Sequence, residues 1–138
     1  MRMDDNELAL EPTAESVRAS RDLVRRTLGS VDSELAEVAA ILTDEVVANA
    51  IRHGRPPIAL RVRGNDELVV IAVADCGPGL PVMRCADRTA ENGRGLMILD
   101  AFSDDWGVVS LREGKQVWFR LHTAGQRPDG RIAERWVR

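Results

Sequence analysis

The chain has 138 residues, 44% of them hydrophobic and 30% charged, and a formal net charge of −3. That length builds one domain whose core needs no cross-links, with the composition of an ordinary soluble globular protein. The slight acidic excess offers no electrostatic basis for holding nucleic acid. The polar start Met1-Arg-Met-Asp-Asp-Asn6 is no signal peptide, and nothing approaches the roughly 20 apolar residues of a membrane helix, so a cytoplasmic protein with no membrane partner is expected. Two cysteines, Cys76 and Cys85, do not make a disulfide framework. With only His53 and His122 beside them, a zinc site is not expected either.

Residues 1–7 read as a polar tail, and the apolar piece Leu8-Ala-Leu10 before Pro12 as an edge strand. Val17, Leu23, Val24 and Leu28 fit one face of a helix over 15–28, stopped by Gly29. Asp32 or Ser33 caps a second helix, running through Leu35, Val38, Ile41, Leu42, Val46 and Ala50 to about His53, then Gly54. Pro56-Pro57 forbid its continuation.

Beyond them the period changes. Ile58, Leu60 and Val62 alternate with Ala59, Arg61 and Arg63, as in a half-buried strand. Gly64-Asn-Asp66 is a turn, and Leu68 to Ala74 is apolar enough for a strand inside a sheet. Residues 80–92 read as an irregular loop, and Gly95 to about Phe102 as a helix. Trp106–Arg112 and Gln116–His122 are strands joined at Glu113-Gly114, with Val117, Phe119 and Leu121 on one face. The segment 123–138, basic with Trp136 in it, reads as a solvated tail. Hairpin-joined strands and grouped helices predict an α+β fold, a two-layer sandwich with three helices over one face of a mostly antiparallel sheet.

Three stretches carry chemistry. Glu45 and Asn49 are four apart on the second helix, roughly 40° apart in rotation, at the border of the stripe formed by Leu42, Val46, Ala50 and His53. A magnesium ion on phosphates would satisfy the Asn49 carbonyl oxygen, a hard neutral ligand, and Glu45 would accept a proton from an incoming hydroxyl. A solvent-edge glutamate and a backbone-bonded asparagine fit the helix equally well. Asp75 ends the most apolar strand, where a carboxylate can accept from an exocyclic amino group, with Gly77 and Gly79 letting a flat ring approach backbone. An ordinary strand-to-loop turn has the same residues. Gly93-Arg-Gly95 opens the third helix, whose free N–H groups suit an anion. Neither glycine pair fits the dinucleotide fingerprint, and no stretch matches the phosphate loop of P-loop NTPases.

In order and spacing these stretches resemble the N box and two glycine boxes of the ATPase and kinase superfamily of DNA gyrase, Hsp90, histidine kinases and MutL. Residues 8–122 resemble the small anti-sigma-factor kinases of bacteria. Leu42-Thr-Asp-Glu-Val-Val-Ala-Asn-Ala-Ile-Arg-His-Gly54 is similar to their N box, and Gly93-Arg-Gly-Leu96, Trp106-Gly107 and Val117-Trp-Phe119 are also typical. The resemblance implies a Bergerat-type ATP-binding fold with ATP and magnesium as ligands. It implies Glu45 as general base, Asn49 as magnesium ligand, and Asp75 on the adenine amino group above a floor of Gly77 and Gly79. Leu80–Asn92 would be a lid, short and stiffened by Pro78 and Pro81. Gly93, Arg94, Gly95 and Leu96 would form its hinge and the phosphate-facing helix start, with Arg94 either near the γ-phosphate or in solvent. His53 would be packed or capping, and Cys76 a thiol beside the pocket, inert by default.

The implied activity is that of an anti-sigma regulatory factor. It would hold a sigma factor inactive and phosphorylate a STAS-type anti-sigma antagonist on serine or threonine. A nucleotide-sensing binding module without phosphoryl transfer is the alternative, and homodimerisation is left open. A histidine kinase catalytic domain is the more remote reading, because neither a dimerising helix pair with a target histidine nor a sensor segment is visible.

Overall fold

The computed structural model describes residues 4–28, 33–65, 67–77 and 91–123. Five strands form one antiparallel sheet in the order β1-β2-β3-β5-β4, with β1 (Asp4–Leu10) and β4 (Asp105–Leu111) on its edges. Inside lie β2 (Ile58–Gly64), β3 (Leu68–Asp75) and β5 (Gly114–His122). The predicted α+β layering is what the molecule adopts. Strand β1 begins at Asp4, inside the stretch read as a tail, because its pairing with β2 runs from Asp4 opposite Gly64 to Leu10 opposite Ile58. Strand β2 likewise continues through Gly64. The turn after it is organised by Asn65, whose Oδ1 accepts from the N–H groups of Glu67 at 2.7 Å and Leu68 at 3.1 Å.

Helix α1 (Ala14–Leu28) starts where the Thr13 hydroxyl oxygen accepts from the Ser16 N–H at 3.3 Å, an N-cap contact. Its buried positions recur every four residues: Ser16, Ser20, Val24 and Leu28. The two serines escaped the apolar pattern because they are polar, yet they belong to the core face. Ser20 donates to the Ser16 carbonyl at 2.7 Å, so a small hydroxyl enters the interface already satisfied.

Helix α2 (Ser33–His53) packs against α1 on one flank, α3 on the other and the sheet beneath. This is why Ala36, Ala39, Ala40 and Val47 are buried beside the expected Leu35, Leu42, Val46 and Ala50. Ile41, read as part of the apolar face, is exposed instead, on a side that no described element covers. Helix α3 (Glu91–Phe102) is tied to β4 by the Trp106 Nε1–H, which donates to Asp100 Oδ1 at 2.9 Å.

The inward sheet face carries Ile58, Leu60 and Val62 from β2, Val69, Ile71 and Val73 from β3, and Val117, Phe119 and Leu121 from β5. Each such side chain taken from water contributes about 1.5–3 kcal/mol. The other face keeps Arg61 and Arg63 exposed, with the Asp5 carboxylate accepting two hydrogen bonds from Arg61 at 3.1 and 2.8 Å.

Candidate functional site

Inward positions of β3 alternate, so Asp75 falls on the same buried face as Val69, Ile71 and Val73. It is 4% exposed, and a carboxylate so placed needs partners. Two donors converge on its Oδ1: the Gly77 N–H at 2.7 Å and the Lys115 ammonium at 3.0 Å. Lys115 is itself 7% exposed. Register explains the meeting, since Lys115 is the direct cross-strand partner of Asp75 between β5 and β3. Oδ2 of Asp75 has no hydrogen-bond donor among the described residues.

Three backbone segments close around this pair. A Cβ on Gly54, the residue after α2, would lie 2.4 Å from Asp75 Cγ. A Cβ on Gly77 would meet the Gly54 Cα at 2.8 Å and Asp75 Oδ1 at 2.9 Å. The missing side chain at Gly77 thus serves the approach of the α2 end to the strand end. The Cys76 N–H donates to the Arg55 carbonyl at 2.8 Å and ties the same two segments together. Gly114 has φ of 137°, and a Cβ there would fall 1.9 Å from the Asp75 carbonyl oxygen. Only glycine allows both the conformation and the approach that set Lys115 beside Asp75.

The last turns of α2 therefore end at Asp75, and they carry Glu45 and Asn49. Both are half-buried, beside the buried Leu42, Val46 and Ala50, as a position at the border of the stripe requires. Asn49 Oδ1 accepts from Arg52 Nη2 at 3.1 Å, a side-chain partner three residues along rather than backbone. His53, expected on the stripe of Leu42, Val46 and Ala50, is exposed on the last turn and is not a packed histidine.

A family model described as the histidine kinase-like ATPase domain matches residues 10–121, most of the chain and every element from the end of β1 to β5. The chain belongs to the histidine kinase-like ATPase domain family. Among solved structures, the histidine kinase domain from the Erythrobacter litoralis EL346 blue-light activated histidine kinase is similar, with a TM-score of 0.50 and 16% sequence identity. The match covers 81% of this chain and 61% of that one, so the chain spans about three fifths of that structure's length. At that identity the likeness is one of fold. No curated protein sequence matches at a significant level.

As a histidine kinase-like ATPase domain, the chain brings some of the expected residues together and not others. Asp75, Gly77 and the end of the helix bearing Glu45 and Asn49 share one end of the molecule. Gly79 and the lid residues 80–90, Cys85 with them, lie outside the described residues, as do the capping candidates Gly29 and Asp32 and the tail from 124. Gly93, Arg94, Gly95 and Leu96 are on α3, but that helix begins at Glu91, four residues before Gly95. The start expected at Gly93–Gly95 is therefore corrected. In an α-helix the Gly95 N–H is directed to the carbonyl of Glu91, and the free N–H groups are those of the first turn, at Glu91–Gly93.

Lys115 was missed. Carrying the alternation of Leu121, Phe119 and Val117 two residues further back places it on the buried face, and a lysine there needs an acid opposite.

The donor set fits an adenine nucleotide at Asp75, where a buried carboxylate keeps one oxygen without a described donor. Among the described residues no three His, Cys, Asp or Glu side chains group as a metal site, and the Asn49 oxygen already holds Arg52. A carbonyl oxygen has a second lone pair, so Asn49 remains able to hold a magnesium ion beside bound phosphates.

Proposed function

We propose that the chain is an ATP-binding anti-sigma regulatory factor with serine/threonine protein kinase activity. In this reading it sequesters a sigma factor and phosphorylates a STAS-type antagonist. The observation that supports it is the buried Asp75 carboxylate, anchored through Oδ1, at the point where the helix carrying Glu45 and Asn49 ends. Asp75 would take the adenine amino group, Asn49 would hold magnesium, and Glu45 would accept the proton of the attacking hydroxyl. Phosphoryl transfer demands mainly positioning and neutralisation of charge, which such groups supply. The N-box stretch Leu42–Gly54 and its similarity to the anti-sigma-factor kinases carry the choice of serine or threonine as acceptor.

One observation favours a second reading, a nucleotide-sensing module that sequesters its partner without transferring phosphate. Arg52 donates to the Asn49 oxygen that a catalytic magnesium would need. The deciding experiment incubates the protein with labelled ATP, magnesium and candidate antagonist proteins. Label on serine or threonine supports the kinase. ATP and sigma-factor binding with no transfer to any antagonist supports the module.

A further inference from the structure

A buried ammonium has three donors, and leaving any of them without an acceptor away from water is costly. Among the described residues Lys115 gives one hydrogen bond, to Asp75 Oδ1. The cross-strand register places this cation beside the carboxylate, and the backbone of Gly114 lies close against that of Asp75. The paired strand ends thus hold a donor and an acceptor side by side: the Lys115 ammonium, and the Oδ2 of Asp75 that no described donor occupies. Adenine presents the complement, an amino donor at C6 and, on the neighbouring ring atom N1, an acceptor.

We infer that Lys115 is a specificity-determining residue that donates to N1 of adenine while Asp75 accepts from the amino group. The inference rests on the ATP reading above and deepens it, since recognition then involves two hydrogen bonds of opposite sense. It also gives the buried lysine a second acceptor once the nucleotide is in place. Guanine reverses both groups, with a carbonyl at C6 and an N–H at N1.

The test is equilibrium binding of ATP, 1-deaza-ATP (C–H in place of N1, amino group kept) and GTP to the full chain. The expected result is that 1-deaza-ATP binds about tenfold more weakly than ATP, the cost of one unmade buried hydrogen bond, and that GTP, which unmakes both, binds more weakly still. Lys115→Met should weaken ATP and erase the difference between ATP and 1-deaza-ATP, with Lys115→Arg restoring part of it. Thermal unfolding of each variant separates a lost contact from a lost fold, and the analogue comparison on the parent needs no variant. Equal affinity of the parent for ATP and 1-deaza-ATP overturns the role of Lys115 and leaves ATP binding standing. Equal affinity for GTP overturns the paired readout. A parent that binds no adenine nucleotide overturns the ATP reading, and this assignment with it.

Discussion

The Arg52 guanidinium donates to Asn49 Oδ1 at 3.1 Å, placing a cation on the oxygen proposed to hold magnesium. The two side chains are three residues apart on the same helix, so the contact forms without any tertiary partner. Asn49→Ala should weaken magnesium-dependent ATP binding with the fold unchanged. Arg52→Ala should lower the magnesium concentration that half-saturates the effect. Titrating ATP affinity against magnesium checks both, and an unaltered magnesium dependence in Asn49→Ala would remove the ion from that residue.

Glu45 separates the two proposed functions. A general base acts on the transfer step, typically by about 10²–10⁴-fold in rate, and little on nucleotide affinity. Glu45→Ala should therefore retain ATP and sigma-factor binding and lose most phosphoryl transfer, and Glu45→Gln should do the same with the shape kept. Glu45 is half-buried beside Leu42 and Val46, so circular dichroism and a melting curve accompany the assay. Loss of the fold in Glu45→Ala would make the residue structural.

Asp75 and Lys115 form a buried ion pair, and removing one member of such a pair typically costs about 3–5 kcal/mol. Asp75→Ala should therefore lose stability as well as ATP affinity. The double variant Asp75→Ala with Lys115→Met should recover much of that stability but none of the adenine selectivity. Urea unfolding of parent, both single variants and the double variant gives the coupling directly. Additive losses would mean that the two groups do not depend on each other.

Gly114→Ala tests the hairpin. Its φ of 137° disfavours any side chain, and the added Cβ would sit 1.9 Å from the Asp75 carbonyl oxygen. Strain of this kind costs on the order of 1–3 kcal/mol before the backbone moves. A melting temperature several degrees lower, with weakened ATP binding, is expected. An unchanged melting temperature would show that the hairpin can shift without cost.

Asp5 supplies a pH dependence remote from the site. The hydrogen bond from Arg61 holds its carboxyl below its ordinary value; partial loss of water opposes this, and the charges of Arg61 and Arg63 add to it. A carboxyl lowered on folding adds stability above its unfolded pKa, and that stability disappears as the pH falls through the folded value. Asp5→Asn should therefore be less stable than the parent at neutral pH, and the two should converge in strong acid. The difference should be small, because the pair lies in solvent, and smaller still in high salt. Equal stability at pH 7 in low salt would show that the pair contributes nothing.

Local sequence determined the elements. The change from a helical period before Gly54 to an alternating one after Pro57, and glycines at 54, 64 and 114, were enough for the layers and most boundaries, because those signals act within a few residues. The spacing of Glu45 and Asn49 likewise put them at the edge of the buried stripe. What the sequence left open were positions decided by partners far along the chain. Ser16 and Ser20 became core because they fall on the face that α1 buries with Val24 and Leu28, and Ile41 became surface because no described element covers it. Asp75 does take a turn contact, with the Gly77 N–H, but its pairing with Lys115, 40 residues later, was set only when β5 came to lie beside β3. That Gly77 also has to admit the backbone of Gly54 is a second demand on its missing side chain, one that only the folded chain imposes. Hydrophobic periodicity tells which face of an element is buried. Register and close backbone approach tell what that face meets, and these exist only once the strands have paired.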